Sequence, residues 1–163
     1  MKVAIRSVWC LALLIGFLSL SAVRGVNAQA DPALGTWKLN LTKSKYESSP
    51  PPKSETRTYE PSGPDGVKAT FNRIDAAGKS MTITYVARYD GRDYAYSGSP
   101  DADTIALTRI DVRTIGTILK KNGRIVQDTK VITSPDGAMR TQTSTGIDAE
   151  GRNFTNVMVF DRQ

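Results

Sequence analysis

The stretch Ser80-Met81-Thr82-Ile83-Thr84-Tyr85-Val86-Ala87-Arg88-Tyr89-Asp90 decides the fold. Met81, Ile83, Tyr85, Ala87 and Tyr89 recur at every second position. Ser80, Thr82, Thr84, Arg88 and Asp90 fill the places between them, and Val86 is the one exception. A period of two puts the first set on one face of a β-strand and the second on the other, so one face is built for a core and one for water. Asp90-Gly91 follows and reads as a hairpin turn, because Gly accepts a positive φ and Asp bonds its own backbone.

The same pattern extends in both directions. Trp37, Leu39 and Leu41 alternate with Lys38 and Asn40, and Val67, Ala69 and Phe71 alternate with Lys68, Thr70 and Asn72. Turn residues recur at Asp65-Gly66, Asp75-Ala76-Ala77-Gly78, Asn122-Gly123, Pro135-Asp136-Gly137 and Asp148-Ala149-Glu150-Gly151. After residue 31 no apolar pattern at i, i+3, i+4, i+7 lasts long enough for a helix. The spacing predicts ten strands, at 34–41, 54–61, 66–74, 79–90, 93–98, 103–112, 113–121, 124–134, 138–146 and 152–162. Short links join nearly all of them, which predicts an all-β, antiparallel up-and-down meander. Closure into a barrel removes its exposed edges. Residues 42–53 are the main departure, because Pro50-Pro51-Pro52 favours a stiff polyproline segment. In strand 103–112 the alternation loses phase between Leu107 and Ile110, which predicts a bulge.

Upstream of the first strand the chain changes character. Lys2 and Arg6 precede an apolar run from Val8 to Val23, and Ala28-Gln29-Ala30 supplies small residues. That order is a secretory signal, cleaved after Ala30 or after Ala28. The run is shorter than the ~20 apolar residues of a membrane-spanning helix. The expected organisation is a removed signal over 1–30 and one β-barrel domain over 31–163, exported to the periplasm or secreted, with no stable membrane insertion afterwards. Lys2, Arg6 and Arg24 would leave with the signal, lowering the formal charge from +6 to +3. Apart from Lys120-Lys121 and Arg124 beside a turn, no basic cluster stands out, so no nucleic-acid partner is expected. A monomer is expected.

Much chemistry is excluded by composition. The chain has no histidine, and its one cysteine, Cys10, lies in the signal. Nucleophile systems that need His or Cys are absent, as are the usual zinc and copper ligand sets. No Gly-rich phosphate loop occurs. Asp65, Asp75, Asp90 and Asp136 read as turn formers. The expectation is a protein without cofactor or metal that is not an enzyme.

Leu34-Gly35-Thr36-Trp37-Lys38-Leu39-Asn40 resembles the opening strand of lipocalins and fatty-acid-binding proteins, whose shared mark is Gly-x-Trp at the base of a calycin barrel. The strand count, the Asp136-Gly137 turn and the ending Val157-Met158-Val159-Phe160-Asp161-Arg162 carry the resemblance across the chain. Small exported bacterial lipocalin-like proteins look similar. The resemblance implies that Gly35 and Trp37 are structural residues of the barrel base. It does not carry over a helical lid, because 42–53 is too short and too rich in proline. Nor does it carry over the Arg-x-Tyr carboxylate clamp of fatty-acid-binding proteins, because Met158 and Phe160 occupy the matching positions.

The function expected is the binding of a small apolar or amphipathic molecule inside the barrel. The candidate lining is Phe71, Met81, Ile83, Tyr85 and Tyr89, with Arg73 and Arg109 as polar anchors. Tyr85, Tyr89, Tyr94 and Tyr96 cluster, either as cross-strand packing or as a pocket wall that brings hydroxyls into apolar space. The competing expectation is a structural or protein-interaction barrel with a filled interior.

Overall fold

Alternating runs become strands wherever one set of side chains can be buried, and the computed structural model shows this over residues 31–47, 50–148 and 151–163. The predicted signal, 1–30, lies outside the described residues. The strands are β1 (Gly35–Leu39), β2 (Lys45–Tyr46), β3 (Ser54–Pro61), β4 (Gly66–Ile74), β5 (Ser80–Arg88) and β6 (Asp90–Ala95). They continue with β7 (Thr104–Arg109), β8 (Thr114–Lys121), β9 (Arg124–Thr133), β10 (Met139–Ile147) and β11 (Asn153–Arg162). One 3-10 turn, Leu41–Lys43, stands between β1 and β2. Ten of the strands fall on the predicted runs, and the two-residue β2 is the addition.

All described strands belong to one antiparallel sheet, ordered β5-β4-β3-β1-β11-β10-β9-β8-β7-β6, with β2 off this path and paired with β11 at Asn156 and Val157. The order follows the chain, as expected of a meander. β1 joins the two halves by pairing with β3 on one side and β11 on the other, where Trp37 faces Arg162 and Leu39 faces Phe160. Between the ends of the sheet, β5 and β6, the ladder pairing is reduced, among the described residues, to one bridge from Thr84 of β5 to Ser97 just beyond β6. The barrel is therefore nearly closed.

The core follows the two-residue period. Ile83, Tyr85 and Ala87 are buried on β5, Val67, Ala69 and Phe71 on β4, and Trp37 and Leu39 on β1. Val86, the exception to the pattern, points outward and is 55% exposed. Tyr59, Phe71 and Tyr85 stack edge to face at 5.6 and 5.7 Å, and Tyr85 meets Tyr96 at 6.0 Å. Each such side chain contributes roughly 1.5–3 kcal/mol by leaving water. At the β8–β9 turn Asn122 and Gly123 both have positive φ, 51° and 75°, which matches the right-handed twist of the flanking strands.

Four expectations are corrected. Asp90-Gly91 does not close a hairpin. Tyr89 alone separates β5 from β6, and β6 takes β7 as its ladder partner. The Asp90 carboxylate is drawn to the Arg92 amide and the Tyr94 hydroxyl within β6 itself. Leu41 does not continue the inward row of β1. Asn40 caps the 3-10 turn, and its side chain accepts from the Lys43 amide, which leaves Leu41 exposed. The bulge lies on β6 between Asp90 and Asp93, and the loss of phase after Leu107 marks instead the end of β7 at Arg109. The segment 42–53 is not one polyproline stretch, because Lys45 and Tyr46 pair with Val157 and Asn156 of β11.

Candidate functional site

The two ends of the barrel differ. The base is closed by residues 31–34 and by the end of β11. Trp37 is fully buried there, and its Nε1 donates to the Ala33 carbonyl. The Arg162 guanidinium covers the indole at 4.3 Å and donates to the carbonyls of Pro32, Leu34 and Gly137. Gly35 makes this approach feasible: its φ is +106°, and a Cβ there would lie 2.7 Å from Nη1 of Arg162.

Inside the barrel the sequence hides a buried polar layer. Glu55, Arg57 and Tyr59 are the inward row of β3, and Arg140, Gln142 and Ser144 that of β10. Arg57 donates from Nε to Glu55 (2.5 Å) and from Nη1 to Gln142 (2.6 Å). Its guanidinium lies between the Phe71 and Phe160 rings, at 4.4 and 4.5 Å. Arg73 donates from Nε to the other Glu55 oxygen at 2.8 Å. Burial by itself would raise the Glu55 pKa. The Arg57 and Arg73 charges and hydrogen bonds outweigh it and hold the carboxyl below its usual range. Arg140 covers Tyr59 at 4.4 Å and Trp37 at 5.1 Å, and donates to the Ala33 carbonyl.

Above this layer the barrel opens. A cavity of about 520 Å³ occupies the mouth, bordered by Tyr46, Pro52, Arg73, Leu119, Phe154 and Met158 among others. A deeper pocket of about 110 Å³ extends toward the base between Phe71, Ile83, Tyr85, Tyr89, Tyr96 and Arg140. Arg73, Asp101, Leu119, Gln127 and Met158 border both, and so form the neck between them. Burial pushes the Tyr89 and Tyr96 phenols up to about 12 and Tyr85 well above its ordinary value, so all three are neutral hydroxyls at physiological pH.

The predicted lining residues are divided by this geometry. Phe71, Ile83 and Tyr85 are buried on the wall of the deep pocket, with Tyr89, partly buried, nearer the base. Arg73 is at the neck. Met81 packs against the core but borders neither cavity. Arg109 also borders neither: it pairs with Asp31 and stacks on Tyr89 at 4.0 Å. Sequence reasoning missed Glu55, Arg57, Arg140, Gln142 and Tyr46. A usable signal existed for β3: the hairpin register places Arg57 opposite Phe71 and Glu55 opposite Arg73, so an inward Phe71 implies an inward Arg57.

No protein-family model matches the chain, and no curated protein matches it. Two solved structures are similar. One is the siderocalin Ex-FABP, described as functioning through dual ligand specificities, at 11% identity over 81% of this chain and 74% of that one, with a TM-score of 0.39. The other is the tryptamine complex of the amine binding protein of Rhodnius prolixus, at 11% identity over 81% of this chain, with a TM-score of 0.43. This chain spans 65% of that protein's length. The lipocalin-like, calycin-type architecture expected from Gly35 and Trp37 agrees with the strand order and with the β1–β11 closure.

Proposed function

We propose that this calycin-type barrel is an exported carrier that binds one small amphipathic molecule through its open end and performs no chemistry on it. The observation that supports this reading best is the mouth cavity of about 520 Å³, which falls in the range used for small ligands. Its walls mix apolar and aromatic side chains with a few polar groups at the neck, the composition that suits a ligand with one apolar and one polar part. A purely apolar ligand fits less well, because Arg73 lines both cavities. Export is supported by the basic, apolar and small-residue order of residues 1–30, and the domain then runs over 31–163.

Two features support the non-catalytic reading. The Glu55 side chain is fully enclosed and shared by two arginines, so it is poorly placed to take a proton from a substrate. The buried tyrosines keep their protons at neutral pH. The filled-barrel alternative describes the lower half, where little open volume remains around Trp37 and Arg140.

The test is titration with N-phenylnaphthylamine, a neutral fluorescent probe. Wild type should bind about one molecule per chain with a Kd on the order of micromolar, the usual strength of a small apolar ligand in such a site. Leu119→Trp should fill the neck and abolish binding while the circular dichroism spectrum stays that of the wild type. A wild type that binds no probe, and that carries no small molecule in native mass spectrometry after purification from its source, would leave the structural role as the better reading.

A further inference from the structure

β2 puts one tyrosine where nothing among the described residues answers its hydroxyl. Tyr46 is held against β11 by pairing with Asn156, and it borders the mouth cavity. Its hydroxyl is buried and has no hydrogen-bonding partner among the described residues. A buried hydroxyl left without a partner is costly, and such groups are seldom retained unless something completes them. Burial, with the nearby Glu55 carboxylate, pushes this phenol up to about 12, so at neutral pH it is a hydrogen-bond donor.

Arg73, at the neck, borders the same cavity and lies near enough for its charge to act on the Tyr46 phenol. Its Nε is committed to Glu55, while no hydrogen bond from the described residues engages its two outer nitrogens, and about a quarter of its side chain (27%) remains accessible. The other interior cations are already occupied. Arg57 is bonded to Glu55 and Gln142 and enclosed by two rings, and Arg140 is turned to the base over Trp37 and Tyr59. At the rim Lys121 lines the mouth cavity, and the Asp148 carboxylate is tied to Arg152. The enclosed Arg57, Arg73 and Glu55 together carry one positive charge, and Asp101, an exposed carboxylate, also borders both cavities. A cationic group beside Tyr46 would meet Arg73 and the Glu55 carboxylate, whose oxygens already accept from Arg57 and Arg73, leaving the exposed Asp101 as its acidic partner. An anionic one would meet unused donors.

We infer that the neck is an anion subsite, in which the Tyr46 hydroxyl and the outer nitrogens of Arg73 take the carboxylate, sulfonate or phosphate head of an amphipathic ligand. The apolar part of that ligand lies in the mouth cavity between Phe154 and the proline segment. This inference rests on the ligand-binding reading above and adds the class of ligand and the place of its head.

Two probes of similar aromatic shape separate the two ideas: anilinonaphthalene sulfonate, which carries the anion, and N-phenylnaphthylamine, which does not. Wild type should prefer the sulfonate. In Tyr46→Phe, which keeps the ring, the ratio of sulfonate to neutral affinity should fall by about tenfold, the effect of one lost hydrogen bond to a charged group. Arg73→Met should lower the ratio further. If Arg73→Met fails to fold because Glu55 loses a partner, Tyr46→Phe decides alone. A ratio unchanged in Tyr46→Phe overturns the subsite while leaving the barrel a binder. Equal affinity of wild type for the two probes overturns it as well. If wild type binds neither probe, the ligand-binding reading falls, and the subsite with it.

Discussion

The base and the neck of the barrel are built from the same residue types with opposite bookkeeping. At the base, Trp37 and Arg162 are each satisfied by main-chain carbonyls, and Arg109 is matched by Asp31. Toward the neck, the Tyr46 hydroxyl and the outer nitrogens of Arg73 have no hydrogen-bonding partner among the described residues. An arginine that donates to three carbonyls has spent its directional bonding on the fold. One that uses a single nitrogen retains the capacity to bind something else. We therefore expect stability to depend on the base and recognition on the neck, and substitutions at the two ends should separate these properties.

The largest effect is expected where the two regions meet. Glu55→Gln removes the carboxylate shared by Arg57 and Arg73 and leaves a buried guanidinium without its counter-charge, at a cost of about 3–5 kcal/mol. Denaturant midpoints at neutral pH would measure this. The Glu55 pKa lies below its unfolded value of about 4.3, so its contribution is fully present above that pH and is lost as pH falls through the folded-state value. Wild type and Glu55→Gln should therefore converge in stability as the pH drops below about 4. A gap that stays constant into strong acid would show that the ion pairs do not hold the middle of the barrel.

The next effect belongs to the base alone. Arg162→Met loses the hydrogen bonds to Pro32, Leu34 and Gly137 and the cation over Trp37, while its methylenes still shield the indole in part. Because the side chain is exposed, the expected loss is about 1–2 kcal/mol. The ratio of sulfonate to neutral probe affinity should not move. A shift in that ratio would mean that base and neck are coupled and that the division between them is false.

How much of this division was legible depended on which faces were apolar. β5 announces itself, because Met81, Ile83 and Tyr85 alternate with Ser80, Thr82 and Thr84. On β10, Arg140, Gln142 and Ser144 alternate with Thr141, Thr143 and Thr145, so both faces are polar and hydrophobicity cannot choose between them. The β3–β4 register decides what periodicity cannot, by pairing Arg57 with Phe71. Tyr46 was illegible for another reason. Its place depends on the pairing of two residues with β11, more than a hundred positions along the chain, inside a segment whose prolines argue for no strand at all. Arg109 looked like an interior anchor by its strand position, yet Asp31 engages it near the base, and no local pattern announces that partner.

The smallest effect is the most discriminating, because stability and binding should move in opposite directions. Tyr46→Phe deletes a buried hydroxyl that the protein leaves without a partner, so the empty barrel should gain about 1 kcal/mol. The gain should grow in alkali. The unfolded phenol ionises near pH 10 and the folded one at about 12, so the wild-type tyrosine contributes fully below about pH 10 and loses that contribution as pH rises through about 12. The phenylalanine variant has no such group to lose, so the distance between the two unfolding curves should widen over that window. Saturating anilinonaphthalene sulfonate should reverse the order, because only the wild type adds the hydroxyl–anion bond to its folded state. If the variant is less stable than wild type without the probe, the hydroxyl is already satisfied within the fold, and Tyr46 belongs with the base as a structural residue.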